Sequence, residues 1–494
     1  KTSVKSRCQL SQIIRRWTGF GVRYYEDYSY LRDPSTRTDY TDPLKYIPVT
    51  SNGDVYITFN GDARLKVDNL SKGNFGIPKS PITYNPKTGQ YSATRCVKCD
   101  NATGLYSRVD LGADLHITPY FRIYGELADG QVNQDAPSSK SATSRNELAL
   151  VQGFAEANAY LYGGKEGLQI GRQLVVFHWL TIGSSSIPNV FVSSYDGIRA
   201  YYDNGMIRNE LFYWNLVTPK LGGFEDYTNY TQALWGDYAT IVLPQHEIFE
   251  QRLKDNIDVF YFNTRSGNPQ GPGIADDSLA VYRPVTGTST ESVSFKNGSD
   301  HRNTFGAEYY GNYGNWNFDY SAAIQIGTYV NQHTQGFYIG TKTGYSFPKA
   351  LWKPSIFLKA DVGSGSFEQI GESTYLIAQD SFITETNLIN VAGHVVANPY
   401  NSLLTEAFVA GLFRYDQHRG ITPGQFSGST ANYGITAFVP GTYVGTLLDL
   451  RANWAIAPHL SLSGEAGELI SGTVLKNVHA PNSLYLESQL EYKF

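Results

Sequence analysis

Few residues in this chain are spaced for chemistry. Cys96 and Cys99 form a CxxC, but Asp100 follows where covalent c-type haem attachment needs a histidine. No second CxxC and no nearby pair of histidines completes four zinc ligands. A loop disulfide between Cys96 and Cys99 is the preferred reading, with two free thiols as the alternative; Cys8 is left without a role. The sequence holds no Gly-x-Ser-x-Gly elbow, no His-Glu-x-x-His helix and no Gly-x-x-x-x-Gly-Lys phosphate loop. Ser184 to Ser186 reads as a loop, and Asp276 with Asp277 suits a solvated surface better than a calcium site. The expectation is a protein that is not an enzyme and uses no metal or cofactor.

What remains is a series of charges set one residue apart from apolar neighbours. In Gly104 to Thr118, Leu105, Val109, Leu111, Ala113, Leu115 and Ile117 share one face of an extended chain, while Arg108, Asp110, Asp114 and His116 share the other. Trp316, Phe318, Tyr320, Ala322, Ile324 and Ile326 likewise stand opposite Asn317, Asp319, Ser321 and Gln325. Leu448, Leu450, Ala452 and Trp454 stand opposite Asp449, Arg451 and Asn453. No helix separates residues in this way. A strand in a barrel wall does, because alternate side chains meet lipid and lumen.

Composition supports a large sheet: 37 Tyr, 25 Phe, 7 Trp and 48 Gly accompany one Met and three Cys in 494 residues. No apolar run reaches the roughly eighteen residues that a membrane helix needs. A net charge of −5 gives no argument for nucleic acid. Short connections fall near Thr118 to Tyr120, Tyr162 to Glu166, Asp203 to Gly205, Asn312 to Asn315 and Ala457 to His459, with looser ones near Pro244, Pro348 and Pro399. Long polar segments lie between them: Ser71 to Asn101, Asp129 to Arg145, Ser266 to Asp300, Gly365 to Asp380 and Asp416 to Asn432. The fold expected is all-β, a transmembrane antiparallel β-barrel of about eighteen strands over residues 51–494, with short periplasmic turns and long extracellular loops. Residues 1–50 are expected to form either a periplasmic extension or a plug that folds back into the pore. Lys1 opens without a secretory signal, as a mature or trimmed chain would.

Leu484, Leu486, Leu490, Tyr492 and Phe494 alternate with polar residues, resembling the terminal strand of bacterial outer-membrane barrels. Gly167-Leu-Gln-Ile-Gly-Arg-Gln, followed after a long loop by Asp196-Gly-Ile-Arg-Ala-Tyr-Tyr, resembles the alginate export family. Weaker similarity lies at Asp110 to Leu127, at Thr386 to Asn390 and in the last strand. The resemblance implies an outer-membrane barrel that carries an anionic polysaccharide through a positively charged constriction. It matches Arg172 and Arg451 to pore arginines, and it puts Gln152 where the alginate exporter carries another, which weakens alginate itself as the cargo.

A charge costs several kcal/mol facing lipid and stays hydrated facing a lumen. The pore-lining candidates are therefore Arg108, Asp110, Arg122, Glu126, Arg172, Arg302, Glu308, Lys342, Lys359, Asp449 and Arg451, with Asp114, Glu156, Asp319 and Asp361 beside them. Cross-strand pairing that stiffens the wall is the weightier reading for any single one. Strict alternation puts Arg172 with Leu168 and Ile170; a bulge at Gly171 would turn it inward, the side the resemblance favours. Trp316, Trp352, Trp454 and Tyr492 are expected in interfacial girdles. The function expected is an outer-membrane channel for an anionic or polar carbohydrate, in contact with membrane lipid and solute. The alternatives are an uptake porin for small polar nutrients and a barrel that sheathes or anchors a periplasmic or envelope-complex partner.

Overall fold

The computed structural model describes residues 23–72, 83–85, 90–92, 101–133, 145–174, 177, 194–267, 299–329, 332–368, 370, 383, 385–417, 421, 440–477 and 480–494. Cys8, Cys96, Cys99, Ser184 to Ser186, Asp276 and Asp277 lie outside these residues. The alternating segments form an antiparallel wall of eighteen strands. They are β1 (Tyr56–Ser71), β2 (Asn101–Thr118), β3 (Phe121–Val132), β4 (Asn146–Leu161), β5 (Gly164–Gln173), β6 (Tyr195–Asp203), β7 (Ile207–Thr218), β8 (Tyr227–Val242) and β9 (Gln251–Ser266). The second half comprises β10 (Asp300–Tyr313), β11 (Trp316–Tyr329), β12 (Gln332–Ser346), β13 (Ser355–Gly363), β14 (Leu388–Tyr400), β15 (Leu403–Arg414), β16 (Tyr443–Ala457), β17 (Leu460–Ser471) and β18 (Ser483–Lys493).

Each strand pairs with its successor, and β18 returns to β1, Asp62 opposite Lys493 and Leu65 opposite Leu490. Closure leaves no unpaired edge, which hydrocarbon would not tolerate. The short connections expected from the sequence follow β2, β4, β6, β10 and β16, so they fall at one end of the wall. Between β6 and β7, Asn204-Gly205 makes the turn, with Gly205 at φ +82° and the Asn204 side chain accepting from the Met206 and Ile207 amides at 2.9 and 2.8 Å. No helix among the described residues is long and apolar enough to cross a membrane.

The wall has two chemically distinct faces. Leu105, Val109 and Leu111 are about half exposed on the outside, at 53, 48 and 57 %, whereas Arg108 and Asp110 on the inside are 7 and 3 % exposed. Trp316, Trp352 and Trp454 stand exposed at the short-turn end, where amphipathic rings suit a membrane interface.

The inner face is not uniformly polar. Towards the long-loop end it carries apolar patches, and residues beyond the strands pack onto them. Phe177 lies among Phe212, Trp214, Tyr238 and Phe262, stacked on Tyr238 at 4.2 Å. Ile383, Ile421, Leu475 and Ala480 pack on Leu412, Val444, Leu447 and Leu469. Segment 364–368, after β13, folds inward across β11 and β12. Gly336 makes room for it, since a Cβ there would stand 2.5 Å from the Phe367 amide nitrogen.

Parts of residues 23–55 contact the inner wall near the short-turn end, and Asp39 and Tyr40 reach its rim. Tyr46 stacks on Tyr56 at 4.4 Å, and Thr58 donates to the Lys45 carbonyl at 2.7 Å. Asp39 pairs with His459 at 2.9 Å, and the Tyr40 and Tyr492 hydroxyls meet at 2.7 Å.

Candidate functional site: the lumen wall

Two residues apart on a strand means the same face, about 6.6 Å along the chain. This spacing builds many of the inner ion pairs. Arg108 donates to Asp110 at 2.8 Å, Lys66 lies 3.2 Å from Asp68, and Arg208 lies 2.6 Å from Glu210. Arg302 donates to Asp300 at 2.8 Å, Lys359 reaches Asp361 at 3.0 Å, and Arg451 reaches Asp449 at 2.9 Å. Neighbouring strands add second carboxylates: Glu487 at 3.6 Å from Lys66 and Glu465 at 3.6 Å from Arg451. Pairing thus runs along the strands as well as across them, as Arg122 with Glu156 and Arg199 with Glu210 show.

Arg122 is held from three sides, by Glu156 at 2.6 Å, Asp114 at 2.8 Å and the Tyr24 carbonyl at 2.6 Å. Glu126 accepts from Gln152 and from the Tyr124 hydroxyl, both at 2.7 Å. Lys342 is in register with Asp319 and lies 4.7 Å over the Phe357 ring. Glu308, 2 % exposed, is in register with Asp258.

Two candidates stand differently from expectation. Arg172 does not join the inner set. Gly171 does carry an unusual φ of +132°, yet the ladder runs through it without a register slip, Gly153 opposite Arg172 and Arg172 opposite Asp196. Arg172 therefore keeps the face of Leu168 and Ile170, where it forks onto Asp196 at 2.8 and 2.9 Å. Two parallel donors neutralise that carboxylate at the loop end of the wall, away from mid-membrane. Arg302 does point inward, but segment 364–368 covers it completely, 0 % of the side chain being exposed. It reaches Glu368 at 3.1 Å and the Ser366 carbonyl at 3.4 Å, so its role is to seat that segment.

Arg199 and Arg208 were absent from the sequence candidates. Alternation could have found both: Gly197, Arg199 and Tyr201 oppose Ile198 and Ala200, and Arg208-Asn-Glu210 repeats the two-residue spacing. Arg199 is 1 % exposed and lies 3.3 Å from Glu210. Both arginines meet residues of the amino-terminal segment. In that segment, burial, with Arg23 adding to it, pushes the Lys45 ammonium pKa down to about 8, and its Nζ lies over the Tyr28 and Phe494 rings at 4.9 and 5.6 Å. No group of three or more His, Cys, Asp or Glu suited to a metal occurs among the described residues.

A closed wall with outward apolar side chains and an inward ionic lining defines an outer-membrane channel. The sequence matches the alginate export family over residues 88–486, and the chain belongs to that family, in the bacterial outer membrane. No curated protein matches the chain by sequence. Solved channels share the fold. Pseudomonas aeruginosa OpdK, crystallised with vanillate, is 8 % identical over 88 % of this chain and 98 % of its own, with a TM-score of 0.51. Acinetobacter baumannii OccAB1 is 8 % identical over 92 % of this chain and 99 % of its own, at 0.52. Pseudomonas aeruginosa OpdQ is 6 % identical over 89 % and 97 %, at 0.53.

Proposed function

We propose that the channel passes a polar carbohydrate by facilitated diffusion, along a path lined by Arg108, Asp110, Arg122, Glu126, Lys342, Lys359, Asp449 and Arg451. No chemical step is involved. The observation carrying this reading is that the ionic lining is internally neutralised: Arg108, Arg122, Lys359 and Arg451 each have a carboxylate within 3.0 Å. Such a wall presents many donors and acceptors to sugar hydroxyls, while its paired charges give only a weak net field to draw in a polyanion. Between the anionic and the polar solutes expected from the sequence, this favours the uncharged one. Family membership supports carbohydrate as the class.

Liposome swelling tests it. Reconstituted protein should admit neutral oligosaccharides faster than uronic-acid oligomers of equal length. Swelling with the uronates alone, or with neither, contradicts the proposal.

A further inference from the structure

The amino-terminal segment does more than rest on the wall. Arg23 donates to the Gly61 carbonyl at 3.0 Å and to the Phe494 carbonyl, anchoring the segment where β1 and β18 close the barrel. Tyr24 is 1 % exposed, wedged edge-on to Phe154 at 5.0 Å and to Tyr124 at 6.0 Å, with its hydroxyl donating to the Leu174 carbonyl beyond β5 at 3.0 Å. The next residue, Tyr25, accepts through its hydroxyl from Arg199 at 2.8 Å and Arg208 at 3.1 Å. Arg122 donates to the Tyr24 carbonyl at 2.6 Å. Three guanidinium groups thus converge on two consecutive tyrosines inside the lumen.

The chemistry of this station is general. Arg208 lies 5.3 Å over the Tyr25 ring, and Arg199 lies 5.7 Å over the Tyr24 ring, so flat apolar faces meet cations while ring-edge oxygens take their donors. A pyranose lacks the π face, but its hydroxyl oxygens can accept from the same guanidinium donors that Tyr25 engages. Its C–H face can stack on the Tyr124 and Phe154 rings that Tyr24 covers. Asp114, Glu156 and Glu210 set three carboxylates against the three arginines, which suits an uncharged guest better than a polyanion.

We infer that Tyr24 and Tyr25 act as a tethered occupant of a sugar-binding station formed by Arg122, Arg199 and Arg208, and that solute passes only when the segment is displaced. The inference rests on the carbohydrate-channel reading above, and it adds the place where the sugar binds and the part of the chain that competes for it. The contacts of Asp39 with His459 and of Arg23 with the closing strands are the tethers.

Planar-bilayer recordings on the full chain test it, with maltohexaose as the probe. The Tyr24→Ala/Tyr25→Ala variant should conduct severalfold more than wild type, and maltohexaose should interrupt its current at lower concentration because the station is vacant. A second variant, Arg23→Ala/Asp39→Ala, keeps both tyrosines and the station but loses tethers; it should also conduct more, and it covers the case in which the first fails to fold. Folding is checked by heat-modifiable migration. If folded variants conduct and respond to maltohexaose as wild type does, the channel stands and the tethered occupant is wrong. If no folded form conducts, displacement of the segment does not open a pore, and the occupant and the channel reading fail together.

Discussion

Replacing Arg302 with Met tests whether segment 364–368 is held inward by one buried guanidinium. Arg302 is fully covered and binds Asp300 at 2.8 Å, Glu368 at 3.1 Å and Gln325 at 3.2 Å. Removing one partner of a buried ion pair costs about 3–5 kcal/mol, because the remaining charges lose their compensation. At about 1.4 kcal/mol per tenfold, local opening of the segment should become more populated by roughly two to nearly four orders of magnitude. Protonation of Asp300 or Glu368 would bring the effect toward the lower figure. The barrel itself should persist, since its strands keep their backbone ladders. Hydrogen exchange reads the change at two amides: Glu368, which donates to the Gln325 side chain at 2.9 Å, and Phe367, which donates to the Ser364 carbonyl at 3.1 Å. Both should exchange faster by that factor while amides inside β10 and β11 stay protected. Unchanged exchange at Glu368 and Phe367 would refute the reasoning, and uniform acceleration through β10 would show that Arg302 supports the wall instead.

Gly336→Val should lift the same segment sterically, because the new Cβ would stand 2.5 Å from the Phe367 nitrogen; conductance should rise while heat-modifiable migration is retained. Arg451→Glu places a third carboxylate beside Asp449 and Glu465, so the reversal potential in a salt gradient should shift toward cations with the barrel intact. Collapse of heat stability with unchanged selectivity would mean that Arg451 only braces the wall. Hydrogen bonds from the Thr41 amide, and then from His459, lower the Asp39 carboxyl pKa to about 2. Against about 3.9 for an undocked aspartate, its contribution is complete above that pH and is lost as pH falls toward 2. Protease sensitivity of the amino-terminal segment should rise across that window, and Asp39→Asn should flatten the dependence.

The wall was legible because lipid and water impose opposite demands on successive residues. In β2 and β11 the outward side chains are apolar and the inward ones polar, so a period of two appears directly in the sequence. Wherever something covers the inner wall, that contrast fades. In β7, Leu211 and Tyr213 face outward while Phe212 and Trp214, 5 and 0 % exposed, face inward beneath Phe177, so both faces read as apolar. No local pattern says which face meets lipid. Arg172 was misplaced for a related reason: an unusual glycine φ bends a strand without inserting a residue, and only an inserted residue changes the face. The docking of Tyr24 depends on Tyr124, Phe154 and Leu174, about a hundred or more positions away, and no short-range spacing encodes it.

Single-channel current of the purified wild-type chain in a planar bilayer tests the neutralised channel most directly, with neutral or uronic-acid oligosaccharides added on one side. A current of weak charge preference, interrupted by the neutral oligosaccharides more readily than by the uronates, is the predicted result. A strongly anion-selective current interrupted only by uronates would contradict it, because the inner arginines would then be presenting their charge to the solute and not to their carboxylates.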